Sequence, residues 1–265
     1  MKKSLFVLGI AMALLFSGCA SSGKSNIRSA KADLDKFAGD WQIIYAEKGG
    51  IAQSITNATI HIENQKNSKL DFTGFLGVND FNGSCGAEAD GSITDKNFGL
   101  TKKMGPRPAM EAENIIFEVF ANMTEAKVGT EDGFAVVTFT SEETNSSVKF
   151  RKIDLAGTKW NLSLIKDDEV LSSSYIEFVD EKNASANTGV NSLQMGYAYD
   201  AKKGTLTFEP GPMTLMAGDE TSTAVELAFL SAVGESAKYQ IKGDKLLVCN
   251  KAGDALLTFT KEILK

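Results

Sequence analysis

The sequence predicts an α+β fold, mainly antiparallel β, built as two tandem units that are each a closed or sandwich-like sheet packed with one helix. Three observations predict it. Short apolar/polar alternations are separated by Gly, Asn and Asp. Each half contains one stretch of helical period. An ordered series of residues recurs at a nearly constant offset.

In the first half Trp41, Ile43 and Tyr45 alternate, then Ile60 and Ile62, then Leu70 and Phe72. In the second half Trp160, Leu162 and Leu164 alternate, followed by Ile176 and Phe178, by Leu193, Met195, Tyr197 and Tyr199, and by Leu206 and Phe208. The period changes once per half. Ala112, Ile115, Ile116, Val119, Phe120 and Met123 fall on one helical stripe, as do Val225, Phe229, Leu230 and Val233. The two tryptophans of the chain open the halves at an offset of 119 residues. Gly77-Val78-Asn79 matches Gly189-Val190-Asn191 at 112, and Thr101 and Glu113 match Thr214 and Glu226 at 113. The expected units are 37–153 and 154–265.

The chain begins with Lys2 and Lys3 and an apolar run from Leu5 to Phe16, the length of a signal h-region and short for a bilayer span. The run ends in Phe16-Ser17-Gly18-Cys19, which resembles a bacterial lipobox with Phe16 in place of the usual Leu. The resemblance implies cleavage of residues 1–18 and acylation of Cys19 by diacylglyceryl and an amide-linked chain such as palmitate. Two or more chains anchor a protein stably. Ala20 follows in place of the Asp that commonly retains lipoproteins at the inner membrane, so in a cell with two membranes the expected location is the outer membrane, with the chain facing the periplasm. Residues 19–36 are expected to be a flexible tether, roughly 22 Å across as a random coil.

Net charge is −6 and pI is about 5.0. Loss of Lys2 and Lys3 takes the charge from −6 to −8. Such a field disfavours nucleic acid and gives no attraction to anionic lipid, so membrane association falls to the N-terminal lipid. Gly18 to Ser25 fits a phosphate-loop pattern, but no buried strand precedes it and cleavage would divide it.

The order of Trp, Gly-x-Asn, Thr-x-Met-Ala before a helix, Glu with an apolar residue three on, and a closing Gly-x-x-Leu resembles the META domain, also described as HslJ-like or DUF306. The second half carries it best, in Gly189-Val190-Asn191, Thr214-Leu215-Met216-Ala217, Glu226 with Phe229, and Gly243-Asp244-Lys245-Leu246. The first half has Gly77-Val78-Asn79, Thr101, Met104 and Glu113 with Ile116. Cysteines that many members carry are absent at Val78, Val190 and Gly218. The resemblance implies a small β-rich envelope module without an established catalytic mechanism. In residue terms the glycines suit turns, Thr214 terminates a strand and Met216 fills core. Asn79 and Asn191 are the candidate ligand-binding residues, because an amide both donates and accepts.

Little here would build an enzyme. His61, the single histidine, lies between Ile60 and Ile62 and is expected to be an exposed strand residue whose removal leaves folding unchanged. No metal-ligand spacing, catalytic elbow or cofactor motif accompanies it. Ser163-Leu164-Ile165-Lys166 fits S-x-x-K, but a strand places those two side chains on opposite faces. Cys85 and Cys249 occupy non-equivalent positions and are expected to be buried free thiols. The expected function is a non-catalytic binding, scaffold or stress-related module acting on an envelope partner. The competing reading is a periplasmic hydrolase using scattered carboxylates.

Overall fold

The computed structural model describes residues 34–55, 57–65, 68–88, 90–170 and 173–262. The lipobox and Cys19 lie outside the described residues. The expected tether ends early, because Leu34 and Phe37 are buried in the first core and the Asp35 carboxylate accepts from Asn64 Nδ2 at 2.6 Å. Residues 34–36 therefore belong to the first unit.

The first unit comprises β1 (Gly39–Lys48), β2 (Ile51–Ser54), β3 (Thr59–Gln65), β4 (Lys69–Phe75), β5 (Asp80–Ala87), β6 (Ile93–Leu100), α1 (Arg107–Asn122), β7 (Glu125–Glu131), β8 (Phe134–Ser141) and β9 (Ser146–Lys152). The second runs β10 (Thr158–Ile165), β11 (Asp168–Glu169), β12 (Tyr175–Phe178), β13 (Asn183–Asn187), β14 (Ser192–Asp200), β15 (Thr205–Met213), α2 (Glu220–Glu235), β16 (Lys238–Lys242), β17 (Lys245–Cys249) and β18 (Ala255–Lys261). Every strand pairing is antiparallel.

Each sheet closes on itself. The path β6-β5-β4-β3-β1-β9-β8-β7 is completed by an isolated bridge between Ser92 and Glu125. In the second unit β10 pairs β18, and β15 meets β16 through the single pair Thr205 and Lys238. The two closures fall at equivalent positions, 113 residues apart. Beyond that bridge the strands separate, and the helix packs there: α1 lies against β6, β8, β1 and β9, and α2 against β15 and β18. Barrels of this size are filled by side chains. Trp41, Phe72, Phe81, Phe120, Phe139 and Phe150 fill the first, and Trp160, Phe178, Phe229 and Phe259 the second.

The alternation expected for the opening strands breaks at the same place in both units. A bulge between Ile43 and Tyr45 lets Ile44 face out and brings Ala46, rather than Tyr45, into the core. Between Leu162 and Leu164 the same bulge brings Ile165 inward in place of Leu164. One extra residue on one strand reverses every later facing. Ser163 Oγ donates to Thr258 O at 2.9 Å, so its hydroxyl bonds the neighbouring strand.

Phe120 touches Phe72, Phe81, Phe98, Phe139 and Phe150 with centroids 4.8–6.1 Å apart, whereas Val233 holds the equivalent place in the second unit. Phe120→Ala is expected to cost the first unit about 3–5 kcal/mol. Urea unfolding followed by Trp41 fluorescence in a Trp160→Phe background should show the loss, and Trp160 fluorescence in the converse background should not.

Candidate functional site: the domain junction and the two buried asparagine networks

Glycine-asparagine turns place an amide at the same depth in each barrel. Asn79 Oδ1 accepts from Thr101 Oγ1 at 2.8 Å and from Lys103 N at 2.6 Å, while its Nδ2 donates to Glu113 Oε1 at 2.7 Å and to Lys103 O at 3.3 Å. The other Glu113 oxygen accepts from Asn79 N at 2.6 Å and Val78 N at 3.2 Å. Thr101 Oγ1 accepts in turn from Asp80 N. The second unit repeats this: Asn191 Oδ1 accepts from Thr214 Oγ1 at 2.8 Å and Met216 N at 2.7 Å, and its Nδ2 donates to Met216 O and to Glu226 Oε1. Thr188 bridges the remaining Glu226 oxygen and the Asn191 backbone.

These contacts tie a turn, the segment after a strand and the first half of a helix into one knot. Asn79 and Asn191 are both buried, and their amides are occupied by the fold's own partners. The geometry therefore gives them a structural part and leaves no amide atom directed at a ligand. Thr214 ends its strand as expected. Met216, expected in the core, is 60% exposed beside Leu215 at 90%; only its backbone enters the knot. Met104 is likewise exposed in the first unit.

Chemistry gathers instead where the units meet. Strand β16 of the second unit packs across β3 and β4 of the first. Thr59 Oγ1 donates to Ile241 O at 3.0 Å and accepts from Gly243 N at 2.9 Å. Gly243 has a φ of +62°, a left-handed conformation that favours glycine, and a Cβ there would displace the Asn57 side chain, whose Oδ1 lies 2.0 Å from its position. Lys242 Nζ reaches Asp80 Oδ1 at 3.0 Å, and Lys103 Nζ holds the other oxygen at 2.8 Å. These contacts hold the Asp80 carboxyl below its ordinary 3.8, Lys103 foremost and Lys242 adding, against a smaller effect of burial.

At the centre lies Asp40, 3% exposed. Its Oδ1 is 2.9 Å from His61 Nδ1, and its Oδ2 accepts from Tyr199 Oη at 3.3 Å and from Tyr239 Oη. Asp40 and His61 come from the first unit and both tyrosines from the second. The His61 side chain is 18% exposed, which corrects the expectation of an exposed histidine. Alternation does turn it away from Ile60 and Ile62, but the face it turns to is covered by the neighbouring unit. Burial opposes its charge, yet the hydrogen bond and charge of Asp40, with Glu63 adding, raise its pKa above the ordinary 6.5. Burial first, and then the Asp40 charge, push both tyrosine hydroxyls upward, so they act as donors.

Register explains the grouping. Asp40, His61, Thr73 and Asn82 are successive cross-strand partners on β1, β3, β4 and β5, forming one row on the outer face. The row floors a cleft of about 500 Å³ whose other wall presents Lys203, Lys238, Gln240 and Lys242. Among the described residues no group of three or more His, Cys, Asp or Glu side chains has a metal-holding arrangement. Cys85 and Cys249 are buried free thiols, and burial pushes Cys85 up to about 12.

The model of the META domain family matches residues 32–152 and again 153–263. No curated protein matches the chain. Two solved structures are similar: one described as a protein from Burkholderia xenovorans, 15% identical over 54% of this chain and 100% of its own, with a TM-score of 0.38; and one of the duf4847 family from Bacteroides vulgatus, 14% identical over 46% and 99%, with a TM-score of 0.32.

Replacing Asn79 by Leu strips the buried Glu113 of its amide donor, and replacing Asn191 by Leu does the same to the half-buried Glu226. Leaving an ordinary buried polar group unpaired costs about 1–3 kcal/mol, and more when it is charged. Each variant is expected to lose at least that much in urea denaturation, and a loss below 1 kcal/mol would contradict a structural role for the knot.

Proposed function

Because the chain belongs to the META domain family, carrying the domain twice in tandem, we propose that it is a non-catalytic binding and scaffold module of the cell envelope, held by lipid on Cys19. The observation that carries the reading is where the polar chemistry goes. Asp40, Asp80 and Glu113 each meet donors from the fold itself, and both barrel interiors are filled by aromatic and aliphatic side chains. A general acid or base must reach a substrate proton within about 2.6–3.2 Å, or through one water. Carboxylates committed in this way serve cohesion better than proton transfer.

Binding then falls to the outer surfaces, among them the polar junction cleft, which both units line. A preformed cleft floored by a sheet offers such a surface at low entropic cost, because little of it has to be ordered on binding. The anchor is expected to keep the module within tether reach of an envelope protein partner.

Cys19→Ser should move the protein from the membrane fraction to the soluble fraction without changing its unfolding midpoint. Persistence in the membrane fraction would overturn the lipid anchor. A photo-crosslinker placed at Gln240, on the cleft wall, should trap a discrete envelope species in cells. Conversion of a small-molecule substrate by the purified chain, lost on substitution of one cleft carboxylate with the fold intact, would overturn the non-catalytic reading.

A further inference from the structure

We propose that Asp40 and His61 form a pH-operated latch between the two barrels, closed while the imidazole is protonated and loosened as it loses its proton. The geometry begins with a carboxylate that bridges the units. Asp40 stands in the first barrel, takes two hydroxyl donors from the second, and has His61, a cation when protonated, as its hydrogen-bonded partner. A carboxylate so deeply buried depends on its compensation. Removing one partner of a buried ionic pair is strongly unfavourable, because the remaining charge is stranded in a medium of low polarity.

The surroundings of His61 favour its charged form from several sides. Asp40 faces Nδ1 from β1, and on its own strand Glu63 Oε1 stands 3.6 Å from Nε2, which has no hydrogen-bond partner among the described residues. From β4, Thr73 adds a neutral neighbour in register. The second barrel contributes Tyr239 and Lys238 on β16, Tyr199 on β14, and Gly204 in the turn that follows Lys203. Lys203 is itself paired with Asp200 at 2.7 Å. On the far side Lys152 Nζ donates to Ala38 O, and its pKa is lowered by burial and then by Lys202, with Asp40 opposing. The two carboxylates thus lie nearest the ring, and the lysines are either engaged elsewhere or farther out on the cleft wall.

The folded pKa of His61 is raised. Its contribution is therefore complete below about 6.5, the unfolded value, and is lost as pH rises through the folded value. A neutral imidazole still donates one hydrogen bond through Nδ1 but no longer neutralises Asp40. The strain is relieved by admitting water between β16 and β3, which weakens the Thr59 contacts to Ile241 and Gly243 and widens the cleft. Proton binding and the spacing of the barrels are in this way one equilibrium.

The chain has one histidine, so its Cε1 proton gives a single imidazole resonance that reports protonation without assignment ambiguity. The junction reports itself through the Gly243 amide, which donates to Thr59 Oγ1 across the units. Hydrogen exchange of that amide, corrected for intrinsic base catalysis, should lose protection with the midpoint of the His61 titration, above 6.5. The fall should approach about tenfold for each unit by which the folded pKa exceeds the unfolded one. His61→Gln keeps a donor toward Asp40 and cannot titrate, so its Gly243 protection should be flat from pH 5.5 to 9. Should that variant fail to fold, Glu63→Gln decides, since it should lower both midpoints together. A His61 titration at or below 6.5, a Gly243 protection that ignores it, or a pH dependence that persists in His61→Gln would each overturn the latch.

Discussion

Each barrel rests on one buried amide facing one carboxylate. A sheet of eight strands that touch across their last seam at a single bridge has a weak side, and the helix must be fixed over it. Packing alone leaves a helix free to slide or rotate. The pair of Asn79 with Glu113, or of Asn191 with Glu226, pins it, because the amide and the carboxylate are satisfied together only when turn, post-strand segment and helix are all in place. The threonine and the segment after the strand join the same network, so sheet, helix and connecting loop are specified together. The repetition of these partners in two units with different cores, rich in phenylalanine in one and more aliphatic in the other, separates what the fold requires from what merely fills it.

Much of this was legible before any coordinates. Alternation and the duplicated series gave the two units, their strands and the position of each helix, since those signals arise from periodicity that a single chain carries on its face. The bulges after Ile43 and Leu162 were not legible: inserting one residue leaves composition untouched and shows only in the pairing. The repeated Gly-x-Asn marks out Asn79 and Asn191, but the sequence does not reveal that Glu113 and Glu226, 34 and 35 positions on, bond to them. The junction was missed for a related reason. Alternation correctly turned His61 away from its own core, yet nothing local states that another barrel lies on that side. A signal was present nonetheless. Asp40 and His61 occupy the places of Lys159 and Glu177, a pair of opposite charges that pair in register in the second unit. The first unit reverses the acid and replaces the other charge by the one side chain that titrates near neutrality.

That reversal accounts for Asp40 better than stability does. A buried carboxylate with three donors gives a junction few alternatives, since a shifted docking would strand it, and such groups are best attested as selectors of one arrangement. Tyr199 and Tyr239 suit the task because their rings also pack on each other, with centroids 5.1 Å apart, and add apolar contact to the polar one.

The duplication carries a hazard that the surface chemistry removes. The first barrel receives the β16 edge of the second on an outer sheet face. By descent the second barrel has the same kind of face, and the first has the same kind of edge in β7. Copies joined head to tail through such a contact would form a ring where the rotation closes and an open filament where it does not. On the second barrel, however, the receiving row reads Lys159, Glu177, Ser185 and Gln194, which lacks both the buried carboxylate and the histidine. Lys159 is already engaged with Glu262 at 3.0 Å and over the ring of Tyr175. A tyrosine edge arriving there meets an exposed glutamate beside a lysine instead of a buried carboxylate with a histidine, so that row does not repeat the contact that joins the two units.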